Sequence, residues 1–153
     1  MSKIDAHSGL PHDAIASWRQ ANLFVDFALL EVDLDKLALQ NVANGPVATT
    51  ALVVAVASLL KDIVPAEGQL SHVGAGRFQL VVVGQSAAAL AMAETIRQAI
   101  EAAYSQGRIT APITTCVALA FSSEVANLVE LRKLVQQRTH AAKVQGRNRV
   151  VTV

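Results

Sequence analysis

The feature that most constrains the fold of this chain is a predicted β-hairpin near its middle. Two runs with strand character, residues 69–73 and 77–83, are joined by a short glycine-bearing tip. The tip residues are Gly74, Ala75 and Gly76. Within residues 77–83 successive side chains point to opposite faces, with Phe78, Leu80 and Val82 together on one of them, which is the period of a strand. Because glycine tolerates positive φ, it suits such a tip, and the pattern predicts two antiparallel strands joined by a tight turn.

Helical and strand patterns interleave along the rest of the chain without a linker or repeat. Helices are predicted over residues 11–24, 47–64, 86–105 and 123–145, and further strands over residues 27–32, 113–121 and 149–153. A break at Asn44-Gly45-Pro46 precedes the second helix, and proline fits the first turn of a helix. This order predicts an α+β sandwich, with a mostly antiparallel central sheet flanked by helices, as a single domain over residues 1–153.

Composition excludes several classes of protein. Hydrophobic residues make up 52% of the chain and charged residues 16%, which excludes a disordered chain. The 13 basic residues are offset by 12 acidic ones, so we expect no nucleic-acid partner. Cys116 is the only cysteine, which excludes an intrachain disulfide. The longest apolar run, residues 51–60, is shorter than the ~20 residues of a spanning helix, so we expect a cytoplasmic protein without direct membrane contact.

Four segments in order carry a resemblance to a known family. Residues 74–78, Gly-Ala-Gly-Arg-Phe, resemble the Gly-Gly-(Asp/Glu)-Glu-Phe motif of GGDEF domains, the diguanylate cyclases that make cyclic di-GMP. Residues 33–37 with Asn41 resemble the family's Asp-x-Asp-x-Phe-x-x-x-Asn segment at the family's usual spacing. Residues 142–148 and 5–11 resemble its closing and opening segments. The resemblance implies the ferredoxin-like core of the nucleotidyl cyclases.

The resemblance also implies that the catalytic acids have been replaced, which would make this a degenerate GGDEF domain. In the family, the first aspartate of the strand-end segment and an acidic residue at the third motif position share the metal ions that hold the substrate phosphates. Asp33 keeps the first position, but Gly76 takes the second. Arg77 replaces the motif glutamate, either as a charge that repels a divalent cation or as a solvated residue of the tip. Thr50 replaces the usual guanine-contacting aspartate, so we expect no catalytic residue, metal, cofactor or enzyme activity.

Some nucleotide contacts of the family are matched. Asn41 matches a base-contacting residue, although a turn or cap residue is an equal interpretation. Lys143 and Arg147 match the cations that contact the triphosphate. We favour a different interpretation, in which both are simply basic residues near the C-terminus of a helix and interact favourably with its dipole. The family's inhibitory Arg-x-x-Asp segment is replaced by Pro-Ala-Glu-Gly at residues 65–68, so cyclic di-GMP binding by that route is expected to be lost.

The histidines and serines give no catalytic pattern. The histidines at positions 7, 12, 72 and 140 lack metal-ligand spacing and are expected to be structural or solvated. The serines at positions 8, 86, 122 and 123 lack a plausible local base or nucleophile-elbow context.

The second predicted helix is unusually apolar on both sides. One stripe can face the sheet and consists of Leu52, Val53, Val56, Ala57 and Leu60. The opposite positions, predicted to form an interface, are Val54, Ala55, Ser58 and Leu59. Such a helix is either docked against another polypeptide or covered by the leading segment of its own chain, and we favour docking.

Two functions are consistent with these patterns. The first is a catalytically inactive GGDEF-like domain that acts as a regulatory protein-interaction module, as a homodimer or with another protein, in a cyclic di-GMP-linked bacterial system. The alternative is a non-catalytic purine-nucleotide receptor that holds GTP weakly through Asn41, Lys143 and Arg147.

Overall fold

A five-stranded sheet lies between two pairs of helices in the computed structural model, which describes residues 3–153. In chain order the elements are α1 (Ile15–Ala21), β1 (Phe27–Leu34), α2 (Leu37–Ile63), β2 (Ser71–Gly74), β3 (Arg77–Val83), α3 (Ser86–Ala103), β4 (Thr115–Phe121), α4 (Leu128–Val144) and β5 (Arg149–Val151). Two short 3₁₀ turns, Ala66–Gly68 and Ser122–Glu124, lie before β2 and α4.

The sheet has the strand order β2-β3-β1-β4-β5. Its first three neighbouring pairs are antiparallel, and only β4 and β5 run parallel. The predicted hairpin is the β2–β3 pair. The predicted α+β class, with a mostly antiparallel sheet flanked by helices, is confirmed.

The central strand β1 is buried on both faces. Leu30 and Val32 belong to the core shared with α2 and α3, whereas Phe27 and Leu29 belong to the core shared with α1 and α4. Trp18 of α1 meets the Phe27 ring edge-on, with ring centroids 5.0 Å apart. A strand enclosed in this way is mostly apolar, and any polar side chain on it needs a hydrogen-bond or ionic partner. The acidic residues near the carboxyl end of β1 therefore require hydrogen-bond donors or cations around them.

Helix α2 begins at Leu37 rather than at residue 47, and it contains the predicted break as a kink. Gly45 has φ 81° and ψ 170°, a conformation that only glycine adopts readily. Pro46 follows and lacks the amide hydrogen that a helix interior would use. The kink separates Asn41 from Thr50, so it sets how these two side chains approach the sheet.

The predicted interface of α2 is wrong at one position. Leu59 is 4% exposed and packs in the core. It follows Leu52 by two helical turns, so the two leucines lie on the same, inward face. Val54 and Ala55 are half-buried, and Ser58 is exposed.

The leading segment contacts α2 near the C-terminal end of the helix. Lys61 donates a hydrogen bond to the Ser8 carbonyl at 2.5 Å, and Leu10 is buried in the core beside it. Val42 and Val47, nearer the start of the helix, are each 84% exposed. By length and composition alone α2 could cross a membrane, the one such helix within residues 3–153.

We expect Gly45→Ala to lower the free energy of unfolding by about 1–3 kcal/mol, because alanine at this φ and ψ is strained. A Cβ atom at position 45 would meet no other atom within 4 Å, so the cost comes from the backbone alone. Urea unfolding measures the loss. Asn44→Ala, at an exposed neighbouring position, is the control and should change stability by less than about 0.5 kcal/mol. Equal stability of Gly45→Ala and the parent chain would show that the kink does not need glycine.

Candidate functional site

A cleft of about 500 Å³ opens at the carboxyl end of β1, between the kinked helix α2 and the tip of the hairpin. Five residues that the sequence analysis selected line this cleft together: Asp33, Asn41, Thr50, Gly76 and Arg77. They come from β1, from both halves of α2 and from the hairpin. The fold therefore gathers residues that are up to 44 positions apart in the sequence.

The ammonium of Lys143, on the last turn of α4, lies among four oxygen atoms. Its Nζ is 3.2 Å from Asp33 Oδ1 and 3.1 Å from Asp35 Oδ1. It also donates to the carbonyl oxygens of Leu34 at 3.2 Å and Asp33 at 3.4 Å. Burial raises the pKa of Asp33 above its usual range even though Lys143 opposes the shift. Neither interpretation of Lys143 in the sequence analysis included this bridge between two carboxylates.

Asp35 is 5% exposed, and both of its carboxylate oxygens are engaged. Oδ2 accepts from the Thr114 hydroxyl at 2.7 Å and from the backbone N–H of Asn148 at 3.0 Å. Oδ1 accepts from the Cys116 thiol at 3.2 Å and from Lys143. Burial alone would raise the pKa of Asp35, but these hydrogen bonds outweigh it and hold the pKa below its usual range. Burial, followed by the Asp35 carboxylate, raises the pKa of Cys116 to about 12, so the thiol remains a donor.

Gly76, at the third motif position, lies close against the first residue of α2 and the end of β1. A Cβ atom added there would lie 2.6 Å from Leu37 Cδ2 and 3.4 Å from Leu34 Cβ. The Gly76 carbonyl accepts from the Leu34 amide at 2.9 Å, which fixes the tip against the end of β1. Any side chain at this position requires Leu37 to move.

Arg77 is anchored by a buried carboxylate that the sequence analysis missed. Its Nη1 lies 3.5 Å from Glu31 Oε1, and Glu31 is 1% exposed. Glu31 also accepts from Gln79 Nε2 at 3.1 Å and from the Thr139 hydroxyl at 2.7 Å. The interpretation of Arg77 as a solvated tip residue did not include this ion pair. Acidic residues at positions 31, 33 and 35, every second position of an apolar strand, were the signal that could have revealed it.

Comparison with known proteins gives no sequence match but a strong structural one. No family model and no curated protein matches the chain. The GGDEF domain of DgcB from Caulobacter crescentus, in complex with c-di-GMP, superposes with TM-score 0.82 at 17% identity over 97% of this chain and 94% of that one. The FimX GGDEF domain from Pseudomonas aeruginosa gives 0.83 at 16% identity over 100% of both chains. This chain has the fold of a GGDEF domain.

A third structure with this fold is a complex with another protein. The diguanylate cyclase SiaD from Pseudomonas aeruginosa, with its activator SiaC, gives TM-score 0.85 at 16% identity over 98% of this chain and 61% of that one. Identities at this level show the GGDEF fold and no more, so the residues of this chain decide what its site can do.

The cations matched to phosphate contacts are not grouped with Asn41. Arg147 follows α4 with φ 64° and lines a second cleft of about 500 Å³, together with Asp35 and Lys36. Asn41 lies within α2 and is exposed, so it is neither a turn nor a cap residue. The three residues assigned to the nucleotide receptor are thus divided between two clefts and an ion pair.

The segment at residues 65–68, which replaces the family's inhibitory motif, is a short 3₁₀ turn without paired charges. Gly68 takes the place of the family's aspartate and is buried. A Cβ atom at Gly68 would lie 2.7 Å from Val64 Cγ1 and 3.3 Å from the Val81 carbonyl oxygen. An aspartate side chain does not fit there without displacing backbone. Within residues 3–153, no three histidine, cysteine, aspartate or glutamate side chains are grouped so as to hold a metal ion.

His72 links the leading segment to the motif. The sequence analysis did not predict its contact with Ser8. The Ser8 hydroxyl lies 3.0 Å from His72 Nδ1, and Asp5 Oδ2 lies 3.5 Å from the same nitrogen. His72 Nε2 faces the Ala75 carbonyl at 3.3 Å, and the ring stacks on buried Phe78. Because Asp5 and Ser8 share one nitrogen, the group is not a proton relay. It fastens residues 5–8 to the hairpin.

The fastening should weaken in acid. The Ser8 amide donates to Asp5, and this bond, together with the His7 amide and His72, lowers the pKa of Asp5 to about 2 from 3.8 despite partial burial. A lowered pKa contributes stability above pH ~4 that is lost as the pH falls toward 2. We expect the free energy of unfolding to fall by about 1–2 kcal/mol more in the parent chain than in Asp5→Asn between pH 5 and pH 2. Urea titrations across that range measure the difference, and identical slopes would contradict the role of Asp5.

Proposed function

We propose that this chain is a catalytically inactive GGDEF-like domain that acts as a regulatory protein-interaction module in the cytoplasm of a cyclic di-GMP-linked bacterial system. The observation that carries the proposal is the state of the acidic cluster. Asp33 is neutralised by Lys143, and Gly76 supplies no carboxylate beside it. Metal-assisted phosphoryl transfer needs carboxylates that hold metal ions against the phosphates. Here the remaining acids bind side chains of the chain itself.

The first expected outcome is that the purified chain makes no cyclic di-GMP from GTP with Mg²⁺ or Mn²⁺. Gly76→Asp with Arg77→Glu should not restore appreciable activity. The new aspartate must displace Leu37, Thr50 still lacks a carboxylate, and Glu31 loses the Arg77 partner. Chromatographic detection of product, with an active diguanylate cyclase as positive control, measures both. Product formed by the parent chain and abolished by Asp33→Ala would overturn the inactive assignment.

The interaction role is supported by the apolar outer side of α2. Leu39, Val42 and Val47 are 61%, 84% and 84% exposed, and the neighbouring Ala43 and Ala48 are exposed too. An apolar surface of this kind on one helix is typical of an interface. The SiaD–SiaC complex provides a precedent for a protein partner on a chain of this fold. Both homodimerisation and a second protein are consistent with this surface.

We expect Val42→Glu with Val47→Lys to leave the circular dichroism spectrum unchanged while lowering self-association or recovery of a partner. Both side chains face water in the monomer, so the fold loses little, whereas each buried valine would contribute roughly 1.5 kcal/mol or more to a docked surface. Sedimentation velocity and affinity capture measure assembly. Leu90→Lys, at an exposed position on α3, is the control. Full assembly of the double mutant would exclude this face as the interface.

One observation supports the alternative, a non-catalytic nucleotide receptor. The cleft beside β1 is open, about 500 Å³ in volume, and offers the amide of Asn41, the hydroxyl of Thr50 and the guanidinium of Arg77. Calorimetric titration with GTP, ATP and cyclic di-GMP distinguishes the two functions. Saturable GTP binding that Asn41→Ala and Arg77→Ala each weaken by about 1–3 kcal/mol favours the receptor. Absence of binding heat favours the interaction module.

A further inference from the structure

We propose that the ammonium of Lys143 is the permanent cation of the acidic cluster and takes the position that a divalent metal ion would need. The inference rests on the proposed loss of catalysis and explains how the clustered carboxylates remain stable without a metal ion. The family resemblance implies a metal at Asp33, and the residues present do not fit one.

The oxygens around Lys143 are of the kind that Mg²⁺ and Mn²⁺ prefer. Two are carboxylate oxygens, from Asp33 and Asp35, and two are main-chain carbonyl oxygens, from Asp33 and Leu34. Hard divalent cations bind such oxygens at about 2.0–2.6 Å. The ammonium already lies 3.1–3.4 Å from all four. A metal ion within bonding distance of these atoms would lie beside a positive charge and would have to displace it.

The acids that remain are also held in place. Asp35 keeps its second oxygen on the Thr114 hydroxyl and on the backbone N–H of Asn148, so only its Oδ1, which pairs with Lys143, is left to contact a cation. Arg77 pairs with Asp33 in the strand register and adds a second positive charge nearby. Position 76, which would complete a metal site, carries no side chain.

Charge balance supports the same conclusion. Three carboxylates, Glu31, Asp33 and Asp35, lie close to two cations: Arg77 pairs with Glu31, and Lys143 pairs with Asp33 and Asp35. Adding a divalent ion would give this group an excess of positive charge. Removing Lys143 would leave two clustered carboxylates without a cation, which is the situation that attracts a divalent ion.

The test compares Lys143→Met with the parent chain and with Lys133→Met, which removes a 64% exposed lysine of the same helix. In EDTA we expect a lower Tm for Lys143→Met alone. Addition of 10 mM Mn²⁺ should raise the Tm of Lys143→Met by about 3–5 °C, the shift for a concentration near ten times Kd. The parent chain and Lys133→Met should not respond. Asp33→Asn combined with Lys143→Met should lose the response, because the ligand is gone.

Direct binding of Mn²⁺, followed by electron paramagnetic resonance of the free ion, gives the same comparison without heating. Lys143→Gln is the second variant if Lys143→Met does not fold in EDTA. Saturable binding of one Mn²⁺ by the parent chain, or no gain in binding by either folded Lys143 variant, would overturn the inference. Mn²⁺ binding by the parent chain without cyclic di-GMP formation would contradict this inference alone. Formation of cyclic di-GMP by the parent chain would contradict the proposed function itself.

Discussion

Neutralising carboxylates at the end of a buried strand is the constraint on which the rest of the site depends. Glu31 and Asp35 are almost fully buried, and Asp33 lies between them. Burying an unpaired charge costs several kcal/mol, so each carboxylate must have an ionic or hydrogen-bonding partner. Arg77 and Lys143 supply the positive charge, and they come from the hairpin and from α4. The same ion pairs that satisfy β1 therefore join three parts of the chain that are distant in sequence.

The fold does not depend on the acids of the family motif. Gly76 contributes a carbonyl to the Leu34 amide, a contact that any residue could make through its backbone. Phe78, two positions later, is completely buried and stacks on His72. The tip can thus lose its acidic side chain while the strand that follows keeps the packing of the domain. The chain shares the GGDEF fold with solved structures at 16–17% identity.

The sequence predicted the element order because each strand and helix has its own local period. It missed the start of α2, since Lys36 precedes that helix in a left-handed conformation without a side-chain cap. Pro46 gave the stronger start signal, at a kink instead. The residues around Asp33 were found from motif spacing, but the Lys143 bridge was not, because it joins positions 110 residues apart. Such a contact follows from the packing of α4 on the sheet rather than from any local pattern.

The single tryptophan lies on the side of the sheet away from α2. Trp18 packs against Phe27 beneath α1, whereas the cleft at the end of β1 is bounded by α2 and the hairpin. Its fluorescence therefore reports on the docking of α1 and on global unfolding, and it is a poor reporter of ligands in the cleft. An unchanged emission spectrum on adding a nucleotide would carry no information about occupancy. A shift on adding a protein would instead indicate that the α1 side of the sheet had been reached.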